Sequence, residues 1–206
     1  MKKLLKSMAS VVAWMIAAPL AYPVAWVASL DRRHLAFQCA SHMMSLWPGI
    51  IGVYIRRQYY RTALGLKSTG FVIEFGTILA QRGIEIGNDV YVGPFSNIGL
   101  STLEDDVLLG SNVDIVSGKR THFFDRLDVP IREQEGTLEK IRIGAGSWVG
   151  NKSVIMATIG KGCVVGAGSV VTSAFEDLQV IAGNPARAIR SRDVQHTEMG
   201  SPEVRP

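Results

Sequence analysis

Between Ile141 and Val171 the aliphatic side chains return every six positions, a period that belongs neither to a helix nor to a single strand. Ile143, Val149 and Ile155 form one series, and Ile159, Val165 and Val171 a second. A glycine follows at Gly144, Gly150, Gly160 and Gly166, and a small side chain stands four beyond the aliphatic at Ser147, Ser153, Cys163 and Ser169. Recurrence at this spacing, with two coupled positions, predicts a mainly β protein built as a solenoid: each hexad is one flat side of a triangular coil. The aliphatic points into the prism, and the small residue fits where the chain bends. The glycine suits either a corner with unusual backbone angles or the close approach of a neighbouring coil. A sandwich would show strict two-residue alternation, which is absent.

The pattern starts after Ser68-Thr69-Gly70, with Ile78 and Ile84 six apart, then Ile86, Val92 and Ile98 followed by Gly87, Gly93 and Gly99. It slips by one residue, resumes at Leu103, Leu109 and Ile115, stops at Ser117 and returns at Ile141 and Ile143. A slip of this size predicts a corner bulge, while the polar stretch 117–140 predicts an excursion loop, a kind of segment that is often functional. It carries His122, the one histidine of residues 68–190. From Ile155 to Ile159 the repeat is two residues short, which predicts a reshaped groove. The expected organisation is a helical segment over 1–67, a solenoid over 68–190 and a polar tail over 191–206.

Ahead of the solenoid the pattern changes to long apolar runs. Met8 to Leu30 holds no charge, with Lys2, Lys3 and Lys6 before it and Arg32 and Arg33 after it. Its length would just span a bilayer as a straight helix. Pro19 and Pro23 interrupt it, and basic residues at both ends favour a re-entrant hairpin over a kinked spanning helix. A buried helix is one alternative. A secretory leader is another, although the run is long for one and lacks a small-x-small cleavage site. After Trp47-Pro48-Gly49, residues 50–67 place Ile50, Val53, Tyr54, Tyr60 and Leu64 on one helical face, with Arg56, Arg61 and Lys67 toward the other. That is a basic amphipathic helix, lying in a headgroup layer, packed on the first coil, or both.

Charge sharpens this picture. Residues 1–67 hold nine Lys and Arg against one Asp, so that third carries +8 and the remainder −4 of the net +4. Basic charge beside apolar runs points to a membrane surface rather than nucleic acid. Cys39 and Cys163 make neither a disulfide framework nor a zinc cluster, and no metal is expected.

Five motifs carry candidate chemistry: FSNIG (Phe95–Gly99), VSGKRTHFFD (Val116–Asp125), IGAGSWVG (Ile143–Gly150), VVGAGSVVT (Val164–Thr172) and IAGNPARAIR (Ile181–Arg190). In this order they resemble the hexapeptide-repeat acyltransferases, in particular the branch of galactoside and maltose O-acetyltransferases and polysaccharide-modifying relatives. The resemblance covers about Ile78 to Arg190. It implies a left-handed parallel β-helix, a handedness that the usual rule for parallel crossovers would not give, and a homotrimer with sites in the clefts between subunits. It also implies acetyl-CoA as acyl donor and His122 as the general base that takes the proton from the acceptor hydroxyl. A free imidazole titrates at about 6.5, which leaves it able to accept a proton near neutrality. Asp114 or Asp125 could orient the ring, and Asp125 also counts with Asn97 and Trp148 on the substrate side.

On the cofactor side the resemblance implies Trp148, lining the coenzyme groove, together with Gly150, Asn151, Ala167 and Gly168. A backbone amide near Trp148–Gly150 would meet the thioester oxygen. Thr172 and Ser173 would donate hydrogen bonds, and Arg187 and Arg190 would meet phosphate. The expected activity is O-acyl transfer to a saccharide hydroxyl, such as that of a lipid-linked sugar or surface-polysaccharide precursor, at the cytoplasmic face of the plasma membrane. N-acetylation of an amino sugar and a non-catalytic scaffold are the alternatives. A solenoid carbonic anhydrase needs three histidines, and the coils offer one.

Overall fold

Stacked hexads pair only with hexads one turn away, so the coil resolves into three parallel sheets. The structure, a computed structural model, describes residues 8, 10–19, 21–23 and 35–193. Ile73, Val92, Leu109, Val149, Val165 and Ile181 line the inside of the first face, in register from coil to coil. Leu79, Ile98, Ile115, Ile155 and Val171 line the second. Ile86, Leu103 and Ile143 line the third, which Ile159 and Phe175 continue as single bridges. All of these except the half-buried Phe175 are buried. The arrangement fits the left-handed parallel β-helix that the resemblance implies.

The corners explain the irregular spacing. From third face to first, and from first to second, every step between inward aliphatics is six residues. In both corners the residue three beyond the aliphatic is left-handed, as at Gly76, Asp89, Phe95, Asp106, Asn112, Gly146, Lys152, Gly162, Gly168 and Leu178. The corner from second face to third has such a residue only at Gly118, where the excursion begins, and has no fixed length. Its steps run Leu79 to Ile86, Ile98 to Leu103, Ile115 to Ile143, Ile155 to Ile159 and Val171 to Phe175. The one-residue slip, the shortened repeat and the excursion therefore lie on one edge of the prism.

The glycines after the aliphatics serve the second of the two expected purposes. A side chain at Gly150 would put its Cβ 2.6 Å from the amide nitrogen of Ala167, and one at Gly144 would come 2.5 Å from the backbone of Gly160. Stacking of coils requires these positions bare; the unusual backbone angles occur two residues later.

Helices α1 (Leu35–Ser45) and α2 (Gly49–Leu64) cover the first coil. Phe37, Ile55, Tyr59, Tyr60 and Ala63 join Phe71, Ile73 and Leu79 in one continuous core, as the open end of a solenoid demands. Gly65, left-handed, ends α2 with its amide turned back to Arg61 and Thr62 carbonyls. Of the two placements open for this helix, Val53 and Tyr60 take the packed one: both are buried, and α2 packs on the solenoid. Arg56, expected on the polar side, is fully buried. It donates Nε to the Ile73 carbonyl at 2.8 Å and Nη1 to the Trp47 carbonyl, pinning the turn before α2 to the coil. Residues 10–19 and 21–23 are helical, and among the described residues no helix is long and apolar enough to cross a membrane. Residues 24–34, over which the expected hairpin would return, and the tail from 194 lie outside the described residues. At the far end Gln179–Gly183 and Ala186–Ser191 close the solenoid as an antiparallel pair.

Candidate functional site

The excursion leaves the second face after Ile115 and is a ribbon of its own. Glu139 donates its amide to the Ser117 carbonyl (2.9 Å), Thr137 to Arg120 (2.7 Å) and Phe123 to Glu135 (2.7 Å). Gly136 lets the two limbs touch, since a Cβ there would meet the Thr121 carbonyl. Gln134 is buried and clips the tip. Its Oε1 accepts from the Arg126 amide, and its Nε2 donates to the carbonyls of Arg126 and Val129. Sequence reading missed Gln134; its one signal is a neutral amide in the charged run REQEG. Together with Phe123, Asp125, Arg126, Glu133 and Glu135 it lines a shallow groove of about 440 Å³.

His122 stands exposed on this ribbon, and its ring has no hydrogen-bond partner among the described residues. Neither carboxylate proposed to orient it does so here. Asp125 pairs with Arg120 at 3.4 Å, and Asp114 accepts from Nδ2 of Asn97 at 3.1 Å. Asn97 and Asp114 are adjacent rungs on the outside of the second face, immediately before the excursion leaves it. Asn97 is on a strand, and the left-handed corner position falls instead to Phe95, whose exposed ring packs edge-on against Phe75. A bulky residue held in that region is strained, a feature that clusters at functional sites.

On the first face the outward positions run Val72, Tyr91, Leu108, Trp148, Val164, Val180 and then Arg190, each in register with the next. Trp148 is half exposed. From Trp148 to Arg190 is three rungs, about 14 Å at ~4.8 Å per rung. Arg187 lies opposite Ala182 in the closing pair, and both arginines are exposed. Ala167 and Gly168 form a first-to-second corner, where Gly168 is left-handed. Thr172 and Ser173 follow Val171 on the irregular edge, two coils beyond the root of the excursion.

Two groups on the cofactor side are already engaged in the stack. The amides of Trp148 and Gly150 donate to the carbonyls of Cys163 and Val165, both at 2.8 Å, so ladder pairing occupies the amides expected to meet a thioester oxygen. Asn151 uses its Oδ1 to accept from the Ser111 amide at 2.9 Å and so ties two coils together.

The remaining residues form two groups. His122, Asn97, Asp114, Thr172 and Ser173 belong to the second face and the irregular edge; Trp148, Arg187 and Arg190 belong to the first face. In a three-sided prism that edge lies opposite the first face, and no hydrogen bond or ion pair joins the excursion to the first face among the described residues. No group of side chains able to hold a metal ion occurs among the described residues.

Comparison with known proteins agrees with the architecture. The family model for the hexapeptide repeat of succinyl-transferase matches residues 140–173. WbbJ of Escherichia coli strain K12, named as a lipopolysaccharide biosynthesis O-acetyl transferase, is 31% identical over 138 residues, which cover 64% of this chain and 68% of WbbJ. A protein of Mycobacterium tuberculosis strain H37Rv named as an acetyltransferase is 30% identical over 154 residues, 63% of this chain; the match spans about half (51%) of that relative's length. Among solved structures, galactoside acetyltransferase in complex with coenzyme A superposes with a TM-score of 0.59 at 23% identity, over 76% of this chain and 80% of that one. With the hexad register, the closing AGNPAR hairpin and a relative matched over two thirds of its length, the chain belongs to the hexapeptide-repeat acyltransferases.

Proposed function

We propose that the protein transfers an acetyl group from acetyl-CoA to a saccharide hydroxyl, on a lipid-linked sugar or surface-polysaccharide precursor held at the cytoplasmic face of a membrane. The observation that carries this reading is the placement of His122. It is exposed and unpartnered, on an excursion launched beside the Asn97–Asp114 pair. In the reaction its imidazole takes the hydroxyl proton as the oxygen attacks the thioester carbonyl. The tetrahedral intermediate collapses with loss of the coenzyme thiolate, which recovers the proton. Arg187 and Arg190 suit the nucleotide phosphates, and the apolar column from Trp148 through Val164 and Val180 suits the coenzyme arm.

Separation of the two residue groups across the prism supports a homotrimer, in which the first face of one copy meets the irregular edge of the next and completes the site. WbbJ, the relative named for lipopolysaccharide biosynthesis, supports the polysaccharide acceptor, and the apolar, basic N-terminal third supports the membrane.

The test is incubation of the purified full chain with labelled acetyl-CoA and membrane lipid extract, followed by mass analysis. Label in an alkali-labile ester on a saccharide is expected. Label in an alkali-stable amide would replace this reading with N-acetylation, and the absence of any labelled saccharide would end it.

A further inference from the structure

The helical residues 10–19 and 21–23 are packed inside out. Ala13, Ala17 and Ala21 are buried in the core shared with Phe37 and Tyr60, whereas Val11, Val12, Trp14, Met15, Ile16 and Tyr22 are each 43–57% exposed. A helix on a water-soluble protein turns its large apolar side chains inward. This one turns its smallest inward and its largest outward, as helices do where the outer solvent is lipid and small residues make the protein contact.

A second observation is independent of that helix. The end of α1, the short connection and the start of α2 present Met43, Leu46, Trp47, Ile50 and Ile51 outward, Ile50 at 74% and Leu46 at 68% exposure. This is a built projection, because the amides of Leu46 and Trp47 turn back to Met43 and Met44 carbonyls and buried Arg56 grips the Trp47 carbonyl. Contiguous apolar surface of this extent marks an interaction site. Charge selects the partner: Lys2, Lys3, Lys6, Arg32 and Arg33 flank the apolar run, and Asp31 is the single acidic residue in 1–67. That balance complements anionic headgroups.

We infer that the outward face of helical residues 10–19 and 21–23 and the α1–α2 turn form a membrane-docking surface that seats in the interfacial layer of an anionic bilayer, with these residues lying along the membrane rather than crossing it. Aromatic Trp14, Trp47 and Tyr22 suit the headgroup boundary. This rests on the reading of a membrane-held acceptor, and it replaces the re-entrant hairpin with a monotopic seat. Because these helices cap the first coil, docking would also fix the solenoid relative to the membrane.

The test is flotation of the full chain with vesicles of phosphatidylcholine and phosphatidylglycerol. Two variants are compared with the parent: Trp14→Ser with Met15→Ser, and Trp47→Ser with Ile50→Ser and Ile51→Ser. All five residues are exposed, and circular dichroism checks the fold. Each variant is expected to lose at least about tenfold in partition, since buried apolar area sets binding of this kind. A chain whose sole tryptophan is Trp47 is expected to be quenched by lipids brominated in the acyl chain. Variants that float like the parent, with an unquenched Trp47, would overturn the surface while leaving membrane attachment standing. A parent that does not float would overturn both. Variants that float normally but change the sedimentation of the lipid-free protein would show that a second copy covers this face, and the inference would fail.

Discussion

The ring of His122 makes no hydrogen bond that the fold needs, so its loss is separable from stability. His122→Ala is expected to keep the melting temperature and coenzyme affinity of the parent while transfer falls at least ~10²-fold, because the base acts only in the chemical step. Single-turnover kinetics beside calorimetric binding of coenzyme A separate the two; unchanged turnover would remove His122 from the mechanism. Arg187 and Arg190 predict the opposite signature. Contacts to a distant phosphate are made alike in ground and transition states, so changing both to Ala should raise KM for acetyl-CoA more than it lowers kcat. Steady-state rates over a range of acetyl-CoA concentrations read this directly, and a loss confined to kcat would place the arginines outside the coenzyme site.

At the scale of elements, the α1–α2 cap couples the first coil to pH. The Tyr60 hydroxyl shares a 2.7 Å hydrogen bond with Ser41 and is fully buried, and burial pushes its pKa up to about 12. In the unfolded chain the phenol ionises near 10. The stabilisation is therefore complete below about pH 10 and is lost as pH rises toward 12, because the unfolded state releases a proton that the folded state holds. Melting temperature should fall by several degrees over that window, and Tyr60→Phe should flatten the fall; an equal slope in parent and variant would show that other groups set it.

The same cap marks a limit of legibility. The spacing of Val53, Tyr60 and Leu64 does reveal that α2 has a buried face, but periodicity cannot say what buries it, and the coil does so rather than lipid. The hexads were readable because each inward aliphatic must meet its copies one turn away, whatever lies between them. For Asn151 and Gly150 the sequence does not show that the stack already uses one polar atom of each, the side-chain oxygen of the first and the amide of the second. The slip at Leu103 and the shortfall at Ile159 look like separate defects along the chain. Only the register of the faces shows that they share one edge.

For the whole molecule, the excursion and the coils are expected to be separable. Its base closes at Ser117 and Glu139, so replacing residues 119–137 by a two-residue Asn-Gly turn should keep the far-ultraviolet spectrum and shift melting by less than about 5 °C, while abolishing transfer. A chain that no longer folds would mean that the ribbon is part of the solenoid's support. Two edges of the prism are fastened at a fixed count by left-handed residues, while the third accepts connections from four residues to twenty-eight without disturbing the alignment of any rung. Chain length on that edge is uncoupled from the frame, much as a bookshelf takes volumes of any depth at its open side. Recognition ribbons could thus be exchanged there as cassettes, giving one coenzyme-holding frame a succession of acceptors without a new fold.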